Sequence, residues 1–452
     1  MIPDHSSRKR RVNPAGRSGD AESSLLAAIQ EQAFQYFVHE TNLRNGLVAD
    51  TTSGHAPASI AAVGLALTSY PVAVERGLIS RAEAAERTLT TLRFFWRSKQ
   101  GPEPDATGYR GFYYHFLDMT TGARTWECEL STVDSALLLG GMLAAAAYFD
   151  EHRPAEREIR ELADQLYARV DWRWAQNDGA TVTHGWKPES GFLPYRWKGY
   201  DEALLLYVLG LGSPIHPLPA ESYRAWAASY DWRTVYDIPF LYAGPLFTHQ
   251  LSHIWIDFRG IQDAFMRDHG SDYFENSRRA TAVQQQYAIR NPSGYVGYGE
   301  SCWGITASDG PGDLVREVDG ITRRFFGYRA RGVPDGPDDG TIAPWGVVAS
   351  LPFAPELVLP AIANLRRLGG GHRYGFRTTF NQTFPDAGGS PAGWVSPFHC
   401  GLNQGPIVVM IENYDSGLVW QLMRGSPYVA AGLRAAGFTG GWLTQSVTQE
   451  RP

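Results

Sequence analysis

The chain has 452 residues, 43% hydrophobic and 19% charged, a balance that excludes a disordered or fibrous protein and leaves room for one large core or several smaller ones. A net charge of -6 provides no basic stripe for a phosphate backbone, so no nucleic-acid partner is expected. The 14 Trp, 22 Tyr and 21 Phe exceed what an aliphatic core needs, and many are expected to line a cleft for a neutral ligand.

Residues 1–22 contain the basic run SRKRR with no apolar stretch behind it, and read as a disordered basic tail. No export signal is visible. The chain as written is expected in the cytoplasm, or in the periplasm or outside the cell if its start is trimmed. Helical spacing then begins with Leu25, Leu26, Ile29, Ala33, Tyr36 and Phe37. Clear helices are expected over 60–76, 81–97, 131–149 and 154–170. The apolar run 137–147 is too short to span a bilayer and reads as a buried helix, so no membrane partner is expected. Shorter helices are expected over 200–211, 220–229, 256–269, 272–290, 354–368, 404–424 and 428–436, about twelve in all, with hardly any strand signal.

Helix after helix argues for stacked hairpins, and six hairpins close into a toroid. The expected architecture is all-α, a single (α/α)6 barrel over residues 23–452, with no compositional linker near 212–219 to support a two-domain split. Long segments at 101–124, 172–199, 292–328 and 369–403 are rich in Gly, Trp, Tyr and Pro. Loops of that length carry function more often than not, and they are expected to gather at one rim. Cys128, Cys302 and Cys400 match no zinc spacing and read as buried free thiols.

Several clusters carry candidate chemistry. WECELSTVDSALLLGG sets Glu127 and Glu129 before a helix and Asp134 in its first turn, with Ser131 as a plausible N-cap. YRWKGYDEALLLYVLG sets Asp201 and Glu202 before an apolar helix, flanked by Trp197, Lys198 and Tyr200. The helix dipole alone accounts for acids at such a place, but Glu202 is the stronger catalytic candidate. GYVGYGESCWGITASDGPGD places Glu300 and Asp309 among Tyr295, Tyr298 and Trp303, where glycines permit close backbone approach and aromatics stack on sugar rings. HQLSHIWIDFRG brings His249, His253, Asp257 and Arg259 together; the two histidines have i, i+4 spacing, yet no third metal ligand is evident and no metal is expected. Asn403, Gln404 and Glu412 surround a hydrophobic helix near the C-terminus. Paired carboxylates in such settings suit glycoside hydrolysis, which needs an acid for the leaving oxygen and a second carboxylate as nucleophile or base. No nucleophile elbow, phosphate loop or dinucleotide fingerprint occurs in a strand-to-helix setting.

The ordered motifs WECELSTVDSALLL, YDEALLLYVLGLGSP, HQLSHIWIDFRG, YFENSRRAT, YGESCWGITASDGP, TIAPWGVVASLPFAPE and NQGPIVVMIENYDSGLVW resemble the bacterial glucoamylase-like family associated with glycoside hydrolase family 144, the endo-β-1,2-glucanases. The likeness runs from about Phe34 to Trp442. It implies an (α/α)6 barrel, no metal or organic cofactor, and a β-1,2-glucan polysaccharide or oligosaccharide as substrate. Carried over by motif, Glu202 and Glu300 become the acid and the nucleophile or base, with Asp134 and Asp309 assisting. Glu129, Trp197, Tyr200, His249, Asp257, Arg259, Tyr298, Trp303, Trp345 and Asn403 become substrate-binding residues. Alternatives consistent with the same sequence are a β-1,2-glucan transglycosylase, a hydrolase of another β-glucoside, and a non-catalytic glucan-binding barrel.

Overall fold

The computed structural model of the protein describes residues 18–369, 372–386 and 388–444. Among these it contains fifteen α-helices: α1 Ser18–His39, α2 Ile60–Glu75, α3 Arg81–Arg97, α4 Thr132–Tyr148, α5 Pro154–Ala168, α6 Trp172–Gln176, α7 Leu204–Leu211, α8 Ala220–Ala227, α9 Ala264–Asp268, α10 Tyr273–Arg290, α11 Pro344–Ala349, α12 Pro355–Gly369, α13 Gly401–Asp415, α14 Leu418–Arg424 and α15 Pro427–Ala435.

The helices divide by how they bury their surface. In α2 every residue from Ile60 to Ala73 is buried, and α4 and α7 are nearly as completely enclosed. A helix apolar on all sides must be surrounded by other elements. By contrast α3 buries only a stripe containing Ala84, Ala85, Thr88, Leu89, Leu92 and Phe95, and α5 a stripe containing Ile159, Leu162, Ala163, Leu166 and Tyr167. These amphipathic helices form an outer layer.

The inner elements pass contact from one to the next. α2 packs on α4, and α4 on α7. The Leu205 N–H at the start of α7 donates to Ser252 Oγ at 3.0 Å, within a pair of 3₁₀ turns, Leu246–His249 and Leu251–Ile254. From those turns Gln250 Nε2 donates to Gly346 O at 2.6 Å and to Ser350 Oγ at 2.7 Å, reaching α11. α11 packs on α13, and α13 returns to α2. Outside this ring α1 lies on α13, α3 on α5 and α2, α8 on α7, α10 on the first 3₁₀ turn and α12 on α11. The tightest helix pair is α2 with α4. A Cβ on Gly141 would meet the backbone of Gly64, and one on Gly64 would meet the backbone of Leu137.

Several sequence expectations need correction. α1 begins at Ser18, inside the segment read as tail, whereas the basic run at residues 7–11 lies outside the described residues. The helix expected over 256–269 is instead an irregular turn followed by α9. Asp257 Oδ1 accepts the Arg259 N–H at 3.1 Å and Gly260 takes φ +71°, which together break helical geometry. The helix expected over 404–424 divides into α13 and α14 at Gly417, whose φ of +68° ends one and starts the other. The loops also contain strands that helical periodicity did not reveal. Gly108–Tyr109, Phe112–Tyr114, Leu130–Ser131, Gly185–Lys187 and Gly191–Phe192 form one antiparallel sheet in that order, and Leu314–Val318 pairs with Ile321–Phe325 as a hairpin. The strands of the sheet are too short for two-residue alternation to register. No helix among the described residues is long and apolar enough to cross a membrane. The three cysteines are free; Cys128 and Cys302 are buried and Cys400 is half-buried.

Gly141→Ala tests the α2–α4 contact. Alanine gains about 1 kcal/mol in helix propensity, but forcing two backbones apart costs about 3 kcal/mol. A net destabilisation of about 2 kcal/mol is expected in denaturant titration, against a stabilisation if the helices were loosely packed.

Candidate active site

The N-terminal end of α4 supplies the first carboxylate. Ser131 is its N-cap: Ser131 Oγ accepts the Asp134 N–H at 3.2 Å and donates to Asp134 Oδ2. Asp134 is thereby buried and fixed. His115, between the strands Phe112–Tyr114 and Phe116–Leu117, faces it, with Nε2 3.6 Å from Asp134 Oδ2 and Nδ1 2.9 Å from Glu129 Oε1. The imidazole stacks on Phe116 at 4.0 Å between centroids. Burial opposes protonation of His115, but Asp134, Glu129 and Asp50 outweigh it and raise the imidazole to about 9. Burial works against the Glu129 carboxylate in turn, yet its bond to His115 holds it below the usual range.

Glu202 occupies the turn before α7. Its neighbour Asp201 is anchored: Oδ1 accepts the Ala203 N–H and the Trp226 indole N–H, both at 3.0 Å. Burial raises Asp201 to about 7 against those bonds. Glu202 keeps some surface open to the cleft, but protein closes round it. That burial, with the charges of Asp134 and Asp201 adding and His115 opposing, pushes its carboxyl up to about 8. Glu202 therefore carries a proton at neutral pH.

Two further walls complete the cleft. Asp50 is tied to α13 by its carbonyl, which accepts the Gly401 N–H at 2.8 Å, and burial raises its carboxyl to about 6 although His115 opposes the rise. Across from it Asp309 accepts Thr379 Oγ1 at 2.8 Å and Ser396 Oγ at 2.6 Å. The Cys400 thiol, next to α13, is held well above its ordinary range by burial, with Asp50 and Asp309 contributing. Over this floor stands Tyr328. Its surface is 72% open, but desolvation of its hydroxyl, with the charges of Glu202, Cys400, Asp134 and Asp50, raises the phenol to about 12. The loop that carries Tyr328 is clamped by Arg331, whose Nη2 donates to Phe326 O at 3.0 Å and Gly327 O at 3.1 Å while Nε and Nη2 pair with Asp339 at 2.7 and 2.8 Å. Both side chains of that pair are fully buried.

The structure thus brings together Glu202, Asp134 and Glu129 around His115, with Asp309 beside Cys400, whereas Glu300 lies elsewhere on a segment with its own ties. Glu300 is exposed, its carbonyl accepts Gln285 Nε2 from α10 at 2.9 Å, and the next carbonyl accepts Asn364 Nδ2 from α12 at 3.0 Å. That ties the segment to two outer helices.

Most of the aromatic binding residues expected from sequence are core residues. Trp303 is fully buried, Trp345 nearly so within α11, and Trp197 donates its indole N–H to Thr132 Oγ1 at 3.0 Å with one face stacked on His184. Tyr200 packs its ring among Tyr230, His249 and Tyr273, and Tyr298 donates to Asp338 Oδ1 at 2.7 Å. His249 is buried, with Nε2 3.1 Å from Ala243 O, and burial lowers it to about 4. Asp257 is bound by Arg259 at 2.8 and 2.7 Å and by Arg424 of α14, so this pair braces the fold instead of a ligand. Glu412 is likewise structural, accepting from Arg76, Gln30 and Ser416. Asn403 is buried in the first turn of α13, at the end of that helix where Asp50 docks. Among the described residues no group of three or more His, Cys, Asp or Glu is placed to hold a metal ion.

Three site residues escaped the sequence reading: Asp50, His115 and Tyr328. Each is a single polar residue in a loop. Only His115, isolated in the aromatic run FYYHFLD, has a local signal, an ionisable group where β-forming apolar residues dominate. Exposed aromatics near the cleft are Trp126, whose ring lies 5.2 Å from Phe116, and Tyr195, 6.0 Å from His184. Trp126 and Glu127 both have positive φ, +57° and +48°, a backbone form that costs energy in non-glycine residues.

Comparison with known proteins adds family context. The Glycoamylase family model, described as "Putative glucoamylase", matches residues 194–427. A curated relative from Parabacteroides distasonis, the exo beta-1,2-glucooligosaccharide sophorohydrolase (non-reducing end), is 29% identical over 91% of this chain, and this chain spans 58% of that relative's length. A crystal structure from Bacteroides uniformis ATCC 8492 that bears the same description as the family model is 32% identical, with a TM-score of 0.81 over 93% of this chain and 98% of its own. The endo-beta-1,2-glucanase from Chitinophaga pinensis, solved with sophorotriose and glucose, is 27% identical, with a TM-score of 0.81 over 93% and 99%.

The burial of Glu202 has a consequence for stability. From the ordinary glutamic range up to about 8, the folded chain retains a proton that the unfolded chain has lost, so this group's contribution falls as pH rises through that window. Glu202→Gln removes the penalty. The variant's Tm is expected to equal the parent's at pH 5 and to exceed it by about 2 °C or more at pH 9, read by scanning calorimetry.

Proposed function

The chain belongs to the Glycoamylase family, and from that premise we propose that it is a glycoside hydrolase acting on β-1,2-glucan or oligosaccharides derived from it. The ring of inner elements from α2 through α13, with its outer cover, supports reading residues 23–452 as one catalytic (α/α)6 barrel. The named activities of the relatives support the substrate class. The observation that carries the reaction is the contrast between neighbouring carboxyls: Glu202 holds its proton at neutral pH, whereas Asp134 faces a protonated His115.

Glu202 is the general acid. Its proton passes to the glycosidic oxygen as the C1–O bond breaks, water adds to the anomeric carbon, and Asp134 collects the proton that the water releases. Asp309 and Tyr328 are assigned to the bound sugar, accepting from and donating to its hydroxyls. Trp126 and Tyr195, exposed at the rim, take over the ring-stacking role that sequence reading gave to Trp197 and Trp303.

Linear β-1,2-glucan with chromatographic detection of products tests the proposal. Glu202→Gln and Asp134→Asn are each expected to lower turnover by about 10² to 10⁴-fold, and Glu300→Gln to stay within about twofold of the parent. Activity of the parent should fall as pH passes upward through about 8, where Glu202 loses its proton. Full activity in Glu202→Gln, or no product from the parent on this glucan, sinks the reading.

A further inference from the structure

We propose that Asp201 and Trp226 are positioning residues for the reaction: the Trp226 indole N–H holds the Asp201 carboxyl, and that carboxyl closes the turn on which Glu202 is presented to the cleft. The inference rests on the reading of Glu202 as the general acid.

Among the described residues no hydrogen bond reaches the Glu202 carboxyl, so its aim is set by the backbone that carries it. That backbone forms a tight turn. Asp201 Oδ1 accepts the Ala203 N–H at 3.0 Å, a side-chain turn that encloses residue 202, and the same oxygen accepts the Trp226 indole N–H at 3.0 Å. Ala203, at the cap of α7, makes no side-chain cap bond of its own, so the Asp201 carboxyl is what ties the turn to the helix start. Trp226, in the last turn of α8, grips the segment twice, because its carbonyl also accepts the Gly199 N–H at 2.8 Å. The indole has no room to swing. It is fully buried, with the rings of Tyr207, Tyr223 and Tyr230 at 5.0, 5.4 and 5.2 Å between centroids. Tyr223 is anchored in turn, its hydroxyl donating to Asp263 Oδ2 at 2.7 Å. An outer helix thereby fixes the geometry of the acid, and neither Asp201 nor Trp226 has to touch the sugar. Proton transfer needs the donor within hydrogen-bond reach of the leaving oxygen, and a misplacement of about 1 Å costs about 10²-fold in rate.

The experiment compares Trp226→Phe, Asp201→Asn and Asp201→Leu with the parent on linear β-1,2-glucan, after checking that each variant keeps the parent's circular dichroism. Phenylalanine keeps a packed ring and the Gly199 bond but removes the indole donor. Asparagine keeps an oxygen acceptor without the charge, and leucine keeps the shape without the acceptor. Asp201→Leu is expected to lower kcat about 10 to 100-fold and Trp226→Phe about 3 to 10-fold, with KM within about twofold, whereas Asp201→Asn recovers most of the loss seen in Asp201→Leu. A rise in KM with kcat kept, or an Asp201→Asn variant as slow as Asp201→Leu, would overturn the proposal.

A second measurement stands apart from activity. Glu202→Gln is introduced into the parent, into Asp201→Asn and into Asp201→Leu, and the change in Tm is read at pH 5 and pH 9 by scanning calorimetry. The charges that act on Glu202 are those of Asp134, Asp201 and His115; asparagine and leucine remove the same one, so a difference between them reports position. The gain in Tm at pH 9 is expected to persist in Asp201→Asn and to fall to less than about half in Asp201→Leu, where the released turn lets Glu202 reach water. Equal gains in the two backgrounds would overturn the proposal. If Asp201→Leu does not fold, the same cycle is read in Trp226→Phe, where an undiminished gain overturns it. A protein inactive on the glucan that still shows the unequal gains would count against the substrate reading alone.

Discussion

Taking several carboxyls out of water around one imidazole is the constraint on which the rest of this structure turns. Each desolvated acid costs free energy unless it is protonated, paired or hydrogen-bonded, and the site uses all three remedies. Glu202 takes the first, Glu129 and Asp134 the second with His115, and Asp201 the third through Trp226 and the Ala203 N–H. The scaffold makes this tolerable. Asp134 lies in the first turn of α4 and Glu202 just before α7, so the partial positive charge of two helix starts faces the acids. Those starts are brought together because α2, α4 and α7 are apolar on all sides and can be stable only at the centre of the molecule.

The same demand explains where the aromatic residues went. Trp172, Trp226, Trp255, Trp303 and Trp420 are among the largest fully buried side chains, and several hold polar elements in place. Trp226 donates to Asp201, Trp255 to Thr68 inside α2, and Trp420 to His253 O. A helical assembly with wide loops has large irregular gaps between its layers. Indole and phenol rings fill such gaps while supplying a donor for a buried acceptor. Among the described residues, aromatics left exposed on turns include Trp126, Tyr195 and Tyr328.

These allocations set what was legible beforehand. Helices such as α3 and α10 could be read nearly to the residue, because an amphipathic stripe and a Ser or Asp cap both lie in local sequence. The segment 256–269 could not, since its path depends on Asp257 meeting Arg424, 167 residues away. Likewise Glu202 and Asp134 were visible as acids beside apolar helices, but the rejection of Glu300 required knowing that Gln285 and Asn364 pull its segment toward the outer layer. Asp50 and Tyr328 carry no periodic or motif signal at all. Their role arises only when distant loops are folded onto the same floor.

That folding of loops has its own internal logic, and it links the far side of the cleft to the acids. Arg331 and Asp339 are both fully buried, an arrangement that is costly by desolvation and persists only when every donor is used. Arg331 uses them on Asp339, on Ser308 O and on the carbonyls of Phe326 and Gly327. Those carbonyls flank Tyr328 on one side, and Ser308 precedes Asp309 on the other. A single guanidinium therefore fixes both loop groups, Tyr328 beside Glu202 and Asp134 and Asp309 beside Cys400. Because the clamp is electrostatic and dry, it holds its geometry without a regular element on either side, which is how a loop can be as well placed as the start of a helix. The acids on the helical side obtain their character from burial; the groups on the loop side obtain their position from one buried ion pair.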